Sequence, residues 1–212
     1  MSLDGELAAV ADGLGVTLDA AQRSALLAYL DLLQRWNGTY NLTAVRDPAA
    51  MFTQHLADCL AVLPPLQRVA PGGGRLLDVG SGGGLPGVVI AVAQPARQVT
   101  CVDTVAKKMA FVRQVAGTLA LANLHARHAR VEALQEQPFD LITSRAFSSL
   151  VDFVALTRSH LAPGGVWMAM KGRVPDDEIA ALPADVDVFH VEPLQVPGLE
   201  AQRCLVWMRP KG

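Results

Sequence analysis

The chain has 212 residues, 51% of them hydrophobic and 18% charged, with a formal net charge of −2. That length suits a single compact unit burying roughly 70% of its unfolded surface, and the composition argues against a disordered chain or one that needs staples. Cys59, Cys101 and Cys204 are far apart, without disulfide or metal-ligand spacing, no apolar run is long enough for a membrane span, and Asp4 and Glu6 spoil a signal peptide; a soluble cytoplasmic protein without metal or membrane partner is expected.

From the N-terminus, Leu18, Ala21, Ala25, Leu26, Tyr29, Leu32, Leu33 and Trp36 recur at three- and four-residue spacing and predict an amphipathic helix. Asn37-Gly38 is expected to end it. Asp47-Pro48, an N-cap followed by proline at the first helical position, opens a second helix running to about Leu63, with Pro64-Pro65 as its stop. Residues 1–70 therefore read as a helical cap. Pro71-Gly72-Gly73-Gly74 leads into the main unit, residues 71–212.

There the pattern becomes short apolar runs alternating with helical stretches. Strands are expected over 75–79, 98–102, 123–129, 139–143, 166–170, 186–191 and 203–208, and helices near 86–93, 104–121, 148–161 and 176–181. Such alternation predicts an α/β fold, a mostly parallel seven-stranded sheet covered by helices. About ten residues, too few for a crossover helix, separate the last two strands, so the C-terminal strand should be antiparallel. Trp36, Trp167 and Trp207 sit in apolar patterns and are expected in the core.

The informative stretch is Asp78-Val-Gly80-Ser-Gly82-Gly-Gly84-Leu85-Pro86-Gly87, a strand ending in glycines before a helix. Glycines permit a tight turn and the close approach of a ligand, and the free amides of a helix start favour a negative group. Gly82-x-Gly84-x-x-Gly87, with Asp103 downstream, matches a dinucleotide fingerprint and leaves a nicotinamide-dependent oxidoreductase open. The competing frame, Asp78-x-Gly80-x-Gly82-x-Gly84, resembles the first motif of class I S-adenosylmethionine-dependent methyltransferases, in which Asp103 would accept from the ribose hydroxyls. The sequence has no nucleophile elbow, phosphate loop or His-Glu-x-x-His motif.

More motifs follow in order: Val102-Asp103 with Lys107-Lys108, Ala129-Arg-Val-Glu132, Ser144-Arg145-Ala-Phe147 and Met170-Lys171-Gly172. Upstream lie Trp36-Asn37, Asn41-Leu42-Thr43 and His55-Leu-Ala-Asp58. Together with the glycine motif, this set resembles the bacterial 16S rRNA guanine-N7 methyltransferase family, also called the glucose-inhibited division protein B family. The resemblance implies a Rossmann-like methyltransferase using S-adenosylmethionine, acting on a guanine in the 530 loop of 16S rRNA, free or within the 30S ribosomal subunit. It implies cofactor contacts at Asp78, Gly80, Gly82, Gly84, Leu85, Asp103, Val131, Glu132 and Arg145, with Arg145 also facing the reaction. A methyltransferase acting on another RNA or a small molecule is the alternative on the same fold.

Guanine N7 carries a free lone pair, so transfer to it needs orientation and no general base; the absence of a catalytic dyad agrees with that without establishing it. Residues 97–173 carry ten basic and five acidic side chains, against five and eight in residues 1–96 and three and seven in residues 174–212. Arg130, Lys171, Arg173 and Arg203 lie at strand ends and are expected to meet RNA, with Arg46 in the cap as a further cation. His55 and Asp58, three apart, read as a local hydrogen bond or packing pair, and Lys107 and Lys108 as solvated surface. A monomer is expected.

Overall fold

The computed structural model describes residues 2–145, 147 and 149–212. Ala146, within the Ser144–Phe147 motif, and Ser148, the expected start of a helix, lie outside the described residues. Helix α1 (Leu3–Gly13), capped by Ser2, was not expected, and it buries Leu7 and Ala11. Helix α2 (Ala20–Tyr40) starts at a capping box: the Asp19 carboxylate accepts from Gln22 N at 2.7 Å, and Gln22 Oε1 accepts from Asp19 N at 2.9 Å. Its inner face is Leu26, Tyr29, Leu30, Leu33 and Asn37.

Asn37-Gly38 does not end this helix. The chain turns out at Asn41, in the left-handed region at φ 50°. Asn37 is 2% exposed and acts through its side chain, which donates to Val45 O and accepts from Thr43 N, folding the following loop onto the helix. The second expected helix is also divided. Helix α3 (Pro48–Met51) passes into a π-helical turn, Phe52–Ala57, then α4 (Asp58–Leu60). Pro64-Pro65 opens α5 (Leu63–Val69) instead of stopping its predecessor, because a missing N–H costs nothing in a first helical turn.

The sheet strands are β1 (Gly74–Val79), β2 (Arg97–Asp103), β3 (Leu124–His128), β4 (Phe139–Ser144), β5 (Leu161–Lys171), β6 (Val186–Pro193) and β7 (Cys204–Pro210). Their order is β3-β2-β1-β4-β5-β7-β6. β1 to β5 pair in parallel, and β7 runs antiparallel to both β5 and β6, as the short final connection required. Helices α6 (Gly87–Ala93), α7 (Ala106–Thr118), α8 (Leu150–Thr157) and α9 (Asp176–Ala180) lie between strands. β5 begins five residues earlier than expected, at Leu161; Pro163-Gly164-Gly165 reads as a turn, but pairing with β4 continues through a register shift.

Leu26, Tyr29, Leu33 and Leu60 of the helical segment share one hydrophobic cluster with Leu76, Val88, Val112 and Trp207. Trp167 and Trp207 are fully buried, while Trp36 is half-buried, tilted against Phe111 at 5.5 Å. The three cysteines are free and buried. Among the described residues no helix is long and apolar enough to cross a membrane.

The strand order reverses at β1, flanked by β2 on one side and β4 on the other, and a crevice opens there at the carboxyl ends of the strands. Helix α2 closes over it: the fully buried Tyr29 hydroxyl donates to Gly83 O at 2.9 Å. Tyr29→Phe keeps the ring but leaves that carbonyl unmet. The expected loss is about 1 kcal/mol in urea unfolding, with weaker cofactor binding by calorimetry, because the loop loses its anchor to α2.

Candidate functional site

The glycine loop after β1 is folded by its own backbone. Gly80 N and Ser81 N both donate to Val102 O of β2, at 2.9 and 3.2 Å, and Gly84 N and Leu85 N donate to Ser81 O. Gly80 and Gly82 have φ of +66° and +59°, and a Cβ at either would point into open space, which is the cradle a ligand needs. The later glycines serve packing. A Cβ at Gly84 would lie 2.6 Å from Val88 Cγ2, and one at Gly87 would lie 2.6 Å from Cys101 Sγ and 2.9 Å from Asp78 Oδ2.

Asp78 is fully buried beneath this loop, where its Oδ2 accepts from Gly87 N at 2.8 Å. Asp78 and Gly84, expected at the cofactor, are not in the linings of the two cavities before the loop, and they support the loop from behind. Burial pushes the Asp78 carboxyl up to about 7; the Gly87 amide and Arg145 oppose the shift, and the charge of Asp103 adds to it.

Two adjacent cavities, with Gly80 and Lys108 in the lining of both, lie in front of the loop. The larger, about 430 Å³, is lined by Gly80, Asp103, Lys108, Val131, Glu132 and Phe147, with Arg130 at its edge. Asp103 Oδ2 accepts from Gly82 N at 3.0 Å and Oδ1 from Val105 N at 2.9 Å, which fixes the carboxylate and leaves lone pairs for a diol. Lys108 is not a solvated surface residue: its Nζ lies 3.7 Å from Asp103 Oδ2. Lys107 is exposed.

The smaller cavity, about 140 Å³, continues from Gly80 and Lys108 to Leu85, Thr43, His55 and Arg145. The two together fit S-adenosylmethionine. A ribose would meet Asp103 in one, and an amino-acid carboxylate would meet the glycine loop and the Arg145 and Lys108 cations in the other.

The side chains of His55 and Asp58 do not bond each other, although the Asp58 backbone N–H donates to His55 O. His55 Nε2 lies 2.8 Å from Thr43 Oγ1. Burial, reinforced by Arg145, lowers its pKa to about 4, against the opposing pull of the Gln54 backbone, so it is neutral at physiological pH. Asp58, 2% exposed, is met by Arg203 Nε at 2.9 Å and by Arg145 Nη1 at 3.5 Å, the latter also donating to Gln54 O at 3.1 Å. Sequence reasoning missed this role; the clue was a charged residue inside the apolar run Leu56-Ala-Asp58-Cys-Leu60. Burial by itself would lower the Arg145 pKa, but Cys59, Asp58, Tyr29 and Asp78 outweigh it and raise it.

The residues expected at RNA divide. Arg130 and Arg173 are exposed. Arg203 is engaged by Asp58, and Lys171 is held by Glu178 at 2.7 Å and by Phe147 O at 3.4 Å. No group of three metal-ligating side chains occurs among the described residues.

Asp78 and His55 titrate with opposite signs. The folded state binds the Asp78 proton more tightly than the unfolded chain does, so this group adds stability as pH falls from about 7 towards 4. His55 resists protonation in the fold, so it removes stability as pH falls from about 6.5 to 4. In urea titrations, Asp78→Asn should therefore lose more stability on acidification than wild type, and His55→Gln should lose less.

The chain's residues 22–206 match the family model described as GidB, rRNA small subunit methyltransferase G. A ribosomal RNA small subunit methyltransferase G of Leptothrix cholodnii is 65% identical over 206 residues, covering 97% of this chain and 94% of that protein. The protein of the same name from an Acidovorax species is 61% identical over 209 residues, covering 94% and 92%. Among solved structures, an S-adenosylmethionine-dependent methyltransferase from Thiobacillus denitrificans, in complex with S-adenosyl-L-homocysteine, superposes with a TM-score of 0.55. At 14% identity, covering 84% of this chain and 98% of that one, it shares the fold. The sheet order with its antiparallel β7 therefore resolves the two glycine frames in favour of the methyltransferase, and the chain belongs to the GidB family of small-subunit rRNA methyltransferases.

Proposed function

We propose that the protein transfers the methyl group of S-adenosylmethionine to N7 of a guanine in the 530 loop of 16S rRNA. The observation that carries the reading is the paired cavity at the β1–β4 reversal, in a chain that matches this family from residue 22 to residue 206. S-adenosylmethionine, when bound, supplies a methyl group on a sulfonium whose bonding pair stays with sulfur as the nucleophile's lone pair forms the new bond. In this reading Gly80, Gly82, Leu85, Asp103, Val131 and Glu132 hold the cofactor.

The residues around the smaller cavity suit a transfer that moves no proton. His55 is neutral, with a pKa of about 4, and so is a poor base at pH 7. Arg145, at the inner end of that cavity, is fixed by Asp58 and Gln54 O and carries the positioning role. Holding the reactants in line can supply as much as about 7–11 kcal/mol of the barrier reduction. The exposed Arg130 and Arg173 would take RNA phosphates, with affinity falling as salt rises. The reading also has residues 1–70 as a cap on a catalytic unit of residues 71–212, and a monomer working in the cytoplasm.

The test is transfer of labelled methyl to 16S rRNA lacking its native modification, as naked RNA and within 30S subunits. Label recovered as 7-methylguanosine is the expected result, and the preferred form names the substrate. Saturable cofactor binding without labelled RNA would remove the RNA assignment. Arg145→Ala should reduce transfer by about 100-fold with an unchanged melting curve, since Arg203 still pairs with Asp58. Undiminished transfer would exclude a central role for Arg145.

A further inference from the structure

A third cavity, about 380 Å³, adjoins the smaller cofactor cavity, with His55 and Arg145 in the lining of both. Its remaining lining includes Gln54, Asp58, Met170 and Gly172, with Lys171 and Arg203. The volume falls in the range of small-molecule sites. The three cavities form a chain: Gly80 and Lys108 are common to the first and second, His55 and Arg145 to the second and third. A group seated in the third therefore borders the cofactor site beside Arg145.

The chemistry of the lining selects among occupants. Three cations face this space against two carboxylates: Arg145 and Arg203 share Asp58, and Lys171 pairs with Glu178. A phosphate would find one net positive charge, with every cation already held by a carboxylate. A neutral heterocycle with both acceptors and donors on its edge suits a paired set, because guanidinium N–H groups and acid or amide oxygens are offered side by side. Met170, 5% exposed, adds an apolar surface for a ring face.

Resting on the function proposed above, we infer that this cavity receives the target guanine base, extruded from the RNA. Arg145 donates to O6 alone. A bidentate grip on O6 and N7, the usual arginine–guanine contact, would occupy the lone pair that must attack. Gln54, exposed at the rim, faces the opposite edge of the base, and Asp58 keeps Arg145 from swinging onto N7. Extrusion costs a few kcal/mol, least for a loop nucleotide, so the pocket favours a guanine that is already unpaired.

Gly172 provides the test. Its backbone is not in the left-handed region, and a Cβ there meets nothing within 4 Å, so a large side chain can be placed at this lining position without straining the fold. Gly172→Trp should leave S-adenosylhomocysteine affinity within about twofold of wild type and the melting temperature unchanged, while transfer to rRNA falls by about 100-fold. Binding is read separately on protein labelled at its methionine methyl groups and saturated with S-adenosylhomocysteine. Guanosine monophosphate should shift the Met170 methyl resonance saturably, with no shift in Gly172→Trp and none from adenosine monophosphate or inorganic phosphate.

A Met170 signal unmoved by guanosine monophosphate, or moved equally by phosphate, overturns the inference; so does full transfer by Gly172→Trp. These outcomes differ from failure of the proposed function, which would appear as absence of 7-methylguanosine in rRNA treated with the wild-type enzyme.

Discussion

A carboxylate that is 2% exposed must be paired, and at Asp58 that requirement joins three distant parts of the chain. Arg145 arrives from the end of β4 and Arg203 from the residue before β7, while Asp58 itself follows the π-helical turn of the N-terminal segment. Removing both arginines would leave the buried charge uncompensated, a penalty of about 3–5 kcal/mol. The helical segment is thus a wall of the site, and Arg145 stands where the cavities meet because Asp58 holds it there. Irregular helix geometry of this kind recurs at functional sites, and here it presents both His55 and Asp58 to one cavity.

The glycine loop shows the same division between support and contact. Gly80 and Gly82 turn bare backbone towards a cavity, whereas Gly84 and Gly87 let α6 sit against the sheet and the buried Asp78. Tyr29 fixes the loop from α2 and Asp103 fixes it from β2, so the surface offered to the cofactor is rigid before any ligand arrives. Preorganisation of this sort is what an orientation-driven reaction needs. Between about pH 4 and 7 burial keeps both Asp78 and His55 uncharged, which leaves Arg145 and Lys108, and no acid–base couple, around the smaller cavity.

Much of the fold was legible because its signals are local. Alternating apolar runs and helical stretches reported a parallel sheet, and a final connection too short for a crossover helix reported the antiparallel β7. The misreadings share a cause: a residue's local preference was overridden by distant partners. Asn37, a helix-ending type, is spent on Val45 and Thr43, and the glycines near 164 sit inside a strand that β4 keeps paired. Pro64-Pro65 was a matter of frame, since the same pair can end one helix or begin the next.

By itself the sequence determined the alternation of elements, the glycine turn after the first strand, the carboxylate at the end of the second and the family motifs around them. These are fixed by neighbours in the chain, by backbone freedom at glycine and by apolar periodicity. Only the tertiary structure decided which glycines face open space, that Asp78 lies behind the loop, that Lys108 reaches Asp103, and that Asp58 binds both Arg145 and Arg203. Each of those depends on charges and surfaces brought together from far along the chain, and the pairing of a buried charge is settled only when the fold removes it from water.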